Sequence, residues 1–377
     1  MQITLFDLLV IIGISQGLFT SYLLLLSKEF KHRNRLLALV VITFILLSCK
    51  ILLHTLGLWN THTFRYFPLA LDLAIQPLVY LFIYASVNPH ARLRPQQLLH
   101  FIPMLVFLVH ATIVYGKVLS TPVMSEKDLI ADALHFNNVK SVEDFLSVLS
   151  AWIYGILSYG SIRNYSKWLN NNIADMTYPT YSWLRNVLIL FGFLMLTLTI
   201  NLALDSFGFG LYNFYHWQLF YLIIAVIIYY VGIQGYYSRQ AAPLTVQKNE
   251  SIAPANISYE AESINQVKEK ILDALEKKKL YRDPEISLVK LSEKIGTSPG
   301  TTSYVINTII GKNFRNLIND YRIDEVKAKI SDPNFRHLSI LGIALDCGFN
   351  SEASFYRVFK KTTGMSPKEF IDNRNDN

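Results

Sequence analysis

Several ionisable residues sit inside otherwise apolar stretches of this 377-residue chain. Lys50 and His54 are four positions apart in the run 35–58, so on a helix they share a face. Asp72 and Gln76 repeat that spacing in 66–87, and Asn201 and Asp205 repeat it at the end of 182–204. His110 lies in the run 98–119, and Asp7 lies near the start of the run 3–26. A charge at the centre of a bilayer costs about 2.5–3.5 kcal/mol on insertion scales, so such residues need partners or a wet cavity. Lysine, imidazole and carboxylate together can pair with one another or hold a small polar molecule or peptide. Catalytic signatures are missing: there is no His-Glu-x-x-His zinc site, glycine-rich phosphate loop or serine-nucleophile elbow. His100 and His110 are ten apart, so their helical faces coincide only approximately. No metal, no cofactor and no enzymatic activity is expected.

The elements that must position these residues follow from composition. Hydrophobic residues make up 51% of the chain and charged ones 17%, which excludes disorder and an ordinary soluble protein. Two distant cysteines, Cys49 and Cys347, exclude a disulfide scaffold and a four-cysteine zinc site. The charges divide the chain. Residues 1–263 carry 16 Lys/Arg and 13 Asp/Glu, about 11% of that part; residues 264–377 carry 19 and 15, about 30%. A spanning helix needs about 20 apolar residues. Seven stretches qualify: 3–26, 35–58, 66–87, 98–119, 144–165, 182–204 and 214–237. The expectation is an all-α chain: a seven-helix transmembrane bundle over 1–237, a linker over 238–263 with Pro243 and Pro254, and a helical domain over 264–377.

The first stretch lacks a basic lead and carries Asp7, so it does not read as a cleaved secretory signal. Lys28, Lys31, Arg33, Arg35, Arg92, Arg94, Arg163, Lys167 and Arg185 fall in one set of alternate loops, and Arg65, Lys117, Lys127 and Lys140 in the other. Because Lys/Arg-rich loops stay cytoplasmic, the amino terminus is expected outside and the carboxyl-terminal domain in the cytoplasm. At about 1.5 Å per residue, Lys50 then lies roughly 12 Å below the outer end of its span and Asp72 roughly 9 Å. The two are expected to meet, with Asp7, His54, His110, Asn201 and Asp205, around an outward-opening ligand pocket.

The charged part contains a pattern twice. Residues 287–294 form a short helix with Leu288, Leu291 and Ile295 inward; Gly296 permits a left-handed turn, and Thr297 or Ser298 caps a helix running to Ile310 before Gly311. The second copy starts at Ser339, with Ile340, Ile343 and Ala344 inward, Gly348 in the turn, Asn350 or Ser351 as cap, and a helix to Thr363 before Gly364. Helix, glycine turn, helix is the helix-turn-helix arrangement, whose second helix enters the major groove of double-stranded DNA. One long helix over 314–331 joins the copies, and an amphipathic helix over 264–280 leads in, with Lys277, Lys278 and Lys279 as its solvated end.

In the first recognition helix Val305, Ile306 and Ile309 read as core, leaving Pro299, Gly300, Thr301, Ser303, Tyr304 and Asn307 for the groove. In the second, Phe355, Val358 and Phe359 pack inward, leaving Ser351, Glu352, Ala353, Ser354, Tyr356, Arg357 and Lys360. Glu352 suits a cytosine amine and Asn307 an adenine edge. Arg357, Lys360 and Lys361 suit phosphate. An excess of only four positive charges in this part predicts a moderate salt slope and a need for a homodimer or adjacent DNA sites.

Residues from about 287 to 371 resemble the DNA-binding domain of the AraC/XylS transcription regulators. The likeness is carried by Leu291, Ser303, Gly311, Phe314, Tyr321-Arg322-Ile323, Ile343-Ala344, Gly348-Phe349, Phe355, Arg357, Phe359-Lys360-Lys361, Gly364 and Ser366-Pro367, and the stretch GFNSEASFYRVFKKTTGMSP is highly specific. Thr302 stands where the family usually has Leu, and Phe370 where a Tyr-Arg or similar pair is commoner. The resemblance implies two helix-turn-helix units in one polypeptide and contact with RNA polymerase; Arg322, one of the matched residues, is expected to form an ion pair inside the domain. The membrane part is similar only to seven-span bacterial sensor domains in general. The leading expectation is a membrane-embedded, signal-responsive regulator that binds lipid, DNA and a small ligand. The competing one is a membrane transporter with an accessory cytoplasmic helical domain.

Overall fold

The computed structural model describes residues 3–27, 31–88, 94–174, 179–208, 215–237, 261–335 and 337–375. Among them the protein is all-helical, with no β-strand and a single isolated bridge. The chain forms two compact units, one of Met1–Arg163 with Pro179–Thr245, the other of Asn164–Tyr178 with Val246–Asn377. Most of the expected linker, 238–260, lies outside the described residues.

The first unit holds α1 (Leu5–Leu26), α2 (Lys31–Thr55), α3 (Ile75–Val87), α4 (Ile102–Leu119), α5 (Met124–Ala133), most of α6 (Phe136–Asn172), α7 (Pro179–Ser206) and α8 (Tyr215–Tyr237). Among the described residues, six helices are long and apolar enough to cross a membrane: α1, α2, α4 with the 3-10 turns before it, α6, α7 and α8. The expected third span is shorter, an apolar helix over Asp72–Val87. At about 1.5 Å per residue it falls short of a 30 Å core. Tyr66 with φ 63° and the ring of Pro68 hold the preceding residues out of a helix. The long loop expected before the fifth span holds α5, and α6 starts at Phe136, eight residues earlier than the expected span.

In this unit α1 packs against α2 and α8. The contact is close because it is built on small residues. A Cβ on Gly17 would stand 2.9 Å from Ile45 and 3.0 Å from Ile228, and one on Gly232 would stand 2.6 Å from the Thr20 hydroxyl. Close backbone approach through small residues is how helices associate where apolar burial gives little driving force. Leu5, Leu8, Ile12, Leu18 and Phe19 of α1, and Leu105, Val106 and Val109 of α4, face outward.

The second unit contains α9 (Ala261–Glu276), α10 (Leu288–Ile295), α11 (Pro299–Tyr304), α12 (Phe314–Ser331), α13 (Ile340–Asp346), α14 (Glu352–Thr363) and α15 (Pro367–Asn375). Serine hydroxyls cap the paired helices in the same way: Ser287 accepts from Lys290 N, Ser298 from Thr301 N, Ser339 from Gly342 N and Ser351 from Ser354 N. Gly296 (φ 67°) and Gly348 (φ 96°) make the expected left-handed turns. A Cβ on Gly348 would also meet the Tyr281 carbonyl oxygen at 2.6 Å, so two constraints hold that position to glycine.

Two apolar cores result. Ile271, Leu275, Leu288, Leu291, Val305, Ile306, Phe314, Leu317 and Ile318 form the first. Ile323, Val326, Ile343, Ala344, Phe349, Phe355, Val358 and Phe359 form the second. Helix α12 serves both, so it joins the two helix-turn-helix units as one rod of about 27 Å. The α11 stretch departs from expectation at its end. After Tyr304 the chain makes a π turn over Val305–Ile309, with Ile310 N bonding to Val305 O and Lys312 N to Ile306 O. The wider turn shifts the helical phase, so Ile309 is exposed at 40% and Ile310 packs on the core in its place.

Candidate functional site

Each unit holds one candidate site. In the first unit, α2 and the turn before α3 bring Lys50 and Asp72 together. Lys50 Nζ lies 2.9 Å from Asp72 Oδ2. Lys140 of α6 reaches the same oxygen at 2.9 Å, and also Glu143 Oε2 at 2.9 Å and Asp144 Oδ1 at 2.7 Å. The three carboxylates of Asp72, Glu143 and Asp144 converge within 4.8 Å, a spacing a divalent cation would accept. Here the Lys140 ammonium already stands among them and spends its three donors on them. The cluster is therefore an ion-pair network.

Lys50, Asp72, Lys140 and Asp144 of this network line a cavity of about 170 Å³. Lys50, His54, Asp72, Gln76, Lys140, Asp144 and Ser147 line the polar part; Leu47, Ile51, Phe191, Leu194, Met195, Leu198, Trp217 and Phe220 line the rest. Two of the polar walls carry unused capacity: Gln76 Oε1 and Ser147 Oγ are buried without a hydrogen-bond partner. A second cavity of about 210 Å³ shares Lys50, His54 and Lys140 and adds Trp59, His110, Phe136 and Glu143. His54 stacks on Trp59 with ring centroids 4.6 Å apart, and His110 Nε2 is 3.0 Å from Leu134 O.

The structure thus gathers Lys50, His54 and Asp72 at one cavity and His110 at its neighbour. It places three expected pocket residues elsewhere. Asp7 caps α1, accepting from Thr4 N at 2.9 Å and Thr4 Oγ1 at 2.7 Å. Asp205 bonds His216 Nε2 at 2.8 Å and Trp217 Nε1 at 2.9 Å, which fixes the start of α8. Asn201 is buried but lines neither cavity. The sequence reading missed Lys140, Glu143, Asp144 and Ser147. Their spacing of three, four and seven was the available signal for one helical face.

In the second unit, Gly300, Tyr304 and Asn307 of the first recognition helix are exposed, and Pro299, Thr301 and Ser303 are half-buried. Asn307 Nδ2 donates to Ser303 Oγ at 3.1 Å. Thr302 is fully buried, and its hydroxyl is satisfied by Ser298 O at 3.0 Å and Thr297 Oγ1 at 2.8 Å. In the second recognition helix Glu352, Ala353, Tyr356, Arg357 and Lys360 are exposed, as is Lys361, and Ser351 is half-buried. Ser354 is a correction. It is 3% exposed, because the cap from Ser351 turns it toward the core beside Phe355.

The mounting of the two units is polar as well as apolar. Buried Arg322 donates from Nε to Tyr281 O at 2.7 Å and from Nη2 to Asp283 O at 2.9 Å, and its guanidinium lies 5.7 Å from the Phe349 ring centre. These carbonyls and the ring are among its partners. Glu325 accepts from Arg282 Nε at 2.9 Å. Burial alone raises its carboxyl, but hydrogen bonds from Arg282 and Tyr281 and the Lys329 charge overcome that and hold it at about 2.

Residues 291–373 match the family model of a helix-turn-helix domain. The carboxyl-terminal module is a helix-turn-helix domain. An HTH-type transcriptional regulator of Staphylococcus aureus (strain MSSA476) is 33% identical over 132 residues, which is 35% of this chain and 16% of that protein. The melibiose operon regulatory protein of Escherichia coli (strain K12) is 30% identical over 88 residues, 23% of this chain and 28% of that protein. The chain thus spans less than a third of the length of these curated relatives. No solved structure matches. The resemblance of the helix-turn-helix domain to AraC/XylS regulators agrees with these matches, which support binding to double-stranded DNA.

Proposed function

We propose that the chain is a membrane-embedded, ligand-responsive, sequence-specific transcription regulator. One observation carries the reading: a helical bundle with outward apolar faces encloses a cavity walled by a charged cluster, in the same polypeptide as a helix-turn-helix domain. Residues 1–237 are the sensor and 264–377 the DNA-binding part. The nine-to-four split of Lys/Arg between alternate loops supports an outside amino terminus and a cytoplasmic helix-turn-helix domain.

The cavity binds a small molecule with a polar head for Lys50, Asp144, Gln76 and Ser147 and an apolar body for Phe191, Leu194 and Trp217. Such a ligand acts only through unequal affinity for two states of the bundle. On the DNA side, Tyr304, Asn307, Glu352 and Tyr356 read base edges, while Arg357, Lys360 and Lys361 hold phosphates. The modest positive charge favours a homodimer on paired sites, and RNA polymerase is the partner that the AraC/XylS resemblance supplies.

The test uses the full chain in lipid nanodiscs and a pool of randomised DNA duplexes. Enrichment of one sequence is expected, with Glu352→Ala relaxing the preference at one base position. Recovery of duplexes no different from the starting pool overturns the reading. Reporter fusions that place the carboxyl end outside overturn its topology.

A further inference from the structure

Helix α6 ends at Asn172, and the carbonyls of its last turn have no partner within the helix. Inside the second unit, side chains of α12 donate to residues at and just past that end. Arg315 Nε donates to Ile173 O at 3.0 Å, and Arg315 Nη1 to Asn170 Oδ1 at 2.6 Å. One turn further along α12, Asn319 Nδ2 donates to Ala174 O at 3.3 Å. A guanidinium at a helix carboxyl end also meets the favourable pole of the helix dipole. Ala174 is 1% exposed and sits in the first core with Ile271, Leu275 and Leu317. Ile173 forms an isolated antiparallel bridge to Ser287, the residue that caps α10.

A five-residue segment more than 100 positions upstream is thus built into the helix-turn-helix domain by charge, backbone and core contacts. The same helix carries Lys140, Asp144, Ser147 and Ala151 at the cavity wall. A continuous helix conveys rotation and axial shift along its length, whereas a chain rich in Pro, Ser and Asn, such as 238–263, conveys little.

We propose that Arg315 and Asn319 form a docking site on the DNA-binding domain for the carboxyl end of α6, residues 170–174, and that this contact couples the cavity to DNA binding. It rests on the function proposed above. The side-chain hydrogen bonds to the docked segment come from α12, and Tyr304, Asn307, Tyr356 and Arg357 of the recognition helices are exposed.

The test is a double-mutant cycle on the full chain in nanodiscs, reading affinity for the duplex sequence that the wild-type chain enriches. Asn170→Ala and Arg315→Ala are each expected to change that affinity at least threefold in the same direction, and together no more than the larger single change. Arg315→Lys keeps the charge but cannot serve two acceptors in one plane, and is expected to behave as Arg315→Ala does. Effects under threefold, effects that multiply, an Asn170→Ala chain that binds as wild type, or full activity of Arg315→Lys overturns the docking site. A wild-type chain that enriches no duplex fails the DNA-binding reading instead, so the two failures are distinguishable.

Discussion

The two units use the same helix to opposite ends. In the helix-turn-helix domain, Ile271, Leu291, Ile306, Phe355 and Phe359 are wholly buried, while Arg357, Lys360 and Glu352 face solvent. In the first unit, Leu5, Ile12, Phe19 and Val106 face outward, while Gln76, Glu143 and Ser147 are buried. An interior made of apolar side chains is stabilised by burial from water. An interior that holds charges gains nothing from that term and depends on pairing, since a buried charge without a partner is costly. The helix-turn-helix domain therefore presents its charges at its surface, and the first unit gathers a charged cluster at its cavity.

The largest effect expected from this contrast is at Asp72. Asp72→Asn leaves Lys50 and Lys140 without their shared counter-charge and should cost about 3–5 kcal/mol, the range for breaking a buried pair. Thermal melting of the full chain in nanodiscs should show a destabilised or unfolded first unit; an unshifted transition would mean the cluster is well solvated. In the second unit the corresponding blow is apolar. Phe355→Ala removes a side chain with no exposure and should cost about 3–5 kcal/mol. Its effect is expected in loss of DNA binding and of amide protection over α13 and α14, and protection left intact there would contradict the packing described.

A smaller effect is expected at Glu325. Its folded carboxyl titrates at about 2, against an ordinary value of 4.5. A lowered folded pKa stabilises fully above the ordinary value, and the contribution is lost as pH falls from about 4.5 toward 2. Glu325→Gln should cost about 2 kcal/mol near neutral pH and flatten the acid limb of a stability-against-pH curve. An unchanged acid limb would remove Glu325 from the mounting of the two helix-turn-helix units. The smallest effect sharpens the surface side of the comparison. Arg357→Ala should weaken binding by about 1 kcal/mol alike on all sequences and lower the salt slope by about one, measured by fluorescence anisotropy at several salt concentrations.

Much of the second unit was legible because its signals are local. A serine cap at the head of an apolar period and a glycine with positive φ at its end can both be read locally, and Ser287, Ser298, Gly296 and Gly348 behave as those rules require. Ile309 was misplaced because a π turn adds a residue that no helical period anticipates. In the first unit, the approach of Lys50 to Asp72 followed from their depths in adjacent apolar runs. The share of Lys140, Glu143 and Asp144 was missed: their spacing marks one helical face, but charges at the start of an apolar run look like a loop until a partner across the bundle is known. The seat of Ala174 was hidden for a related reason: its neighbours, Leu317 and Asn319, are more than 140 positions away.

As proposed, the chain grips specific DNA while held in a lipid bilayer. Crosslinking the full-length protein to chromosomal DNA, isolating the membrane fraction and sequencing the attached fragments measures this directly. The expected result is a small set of discrete sites that share a paired sequence element and disappear in the Arg357→Ala, Lys360→Ala variant. Fragments drawn evenly from the chromosome, or recovered only from a soluble fraction, would contradict it.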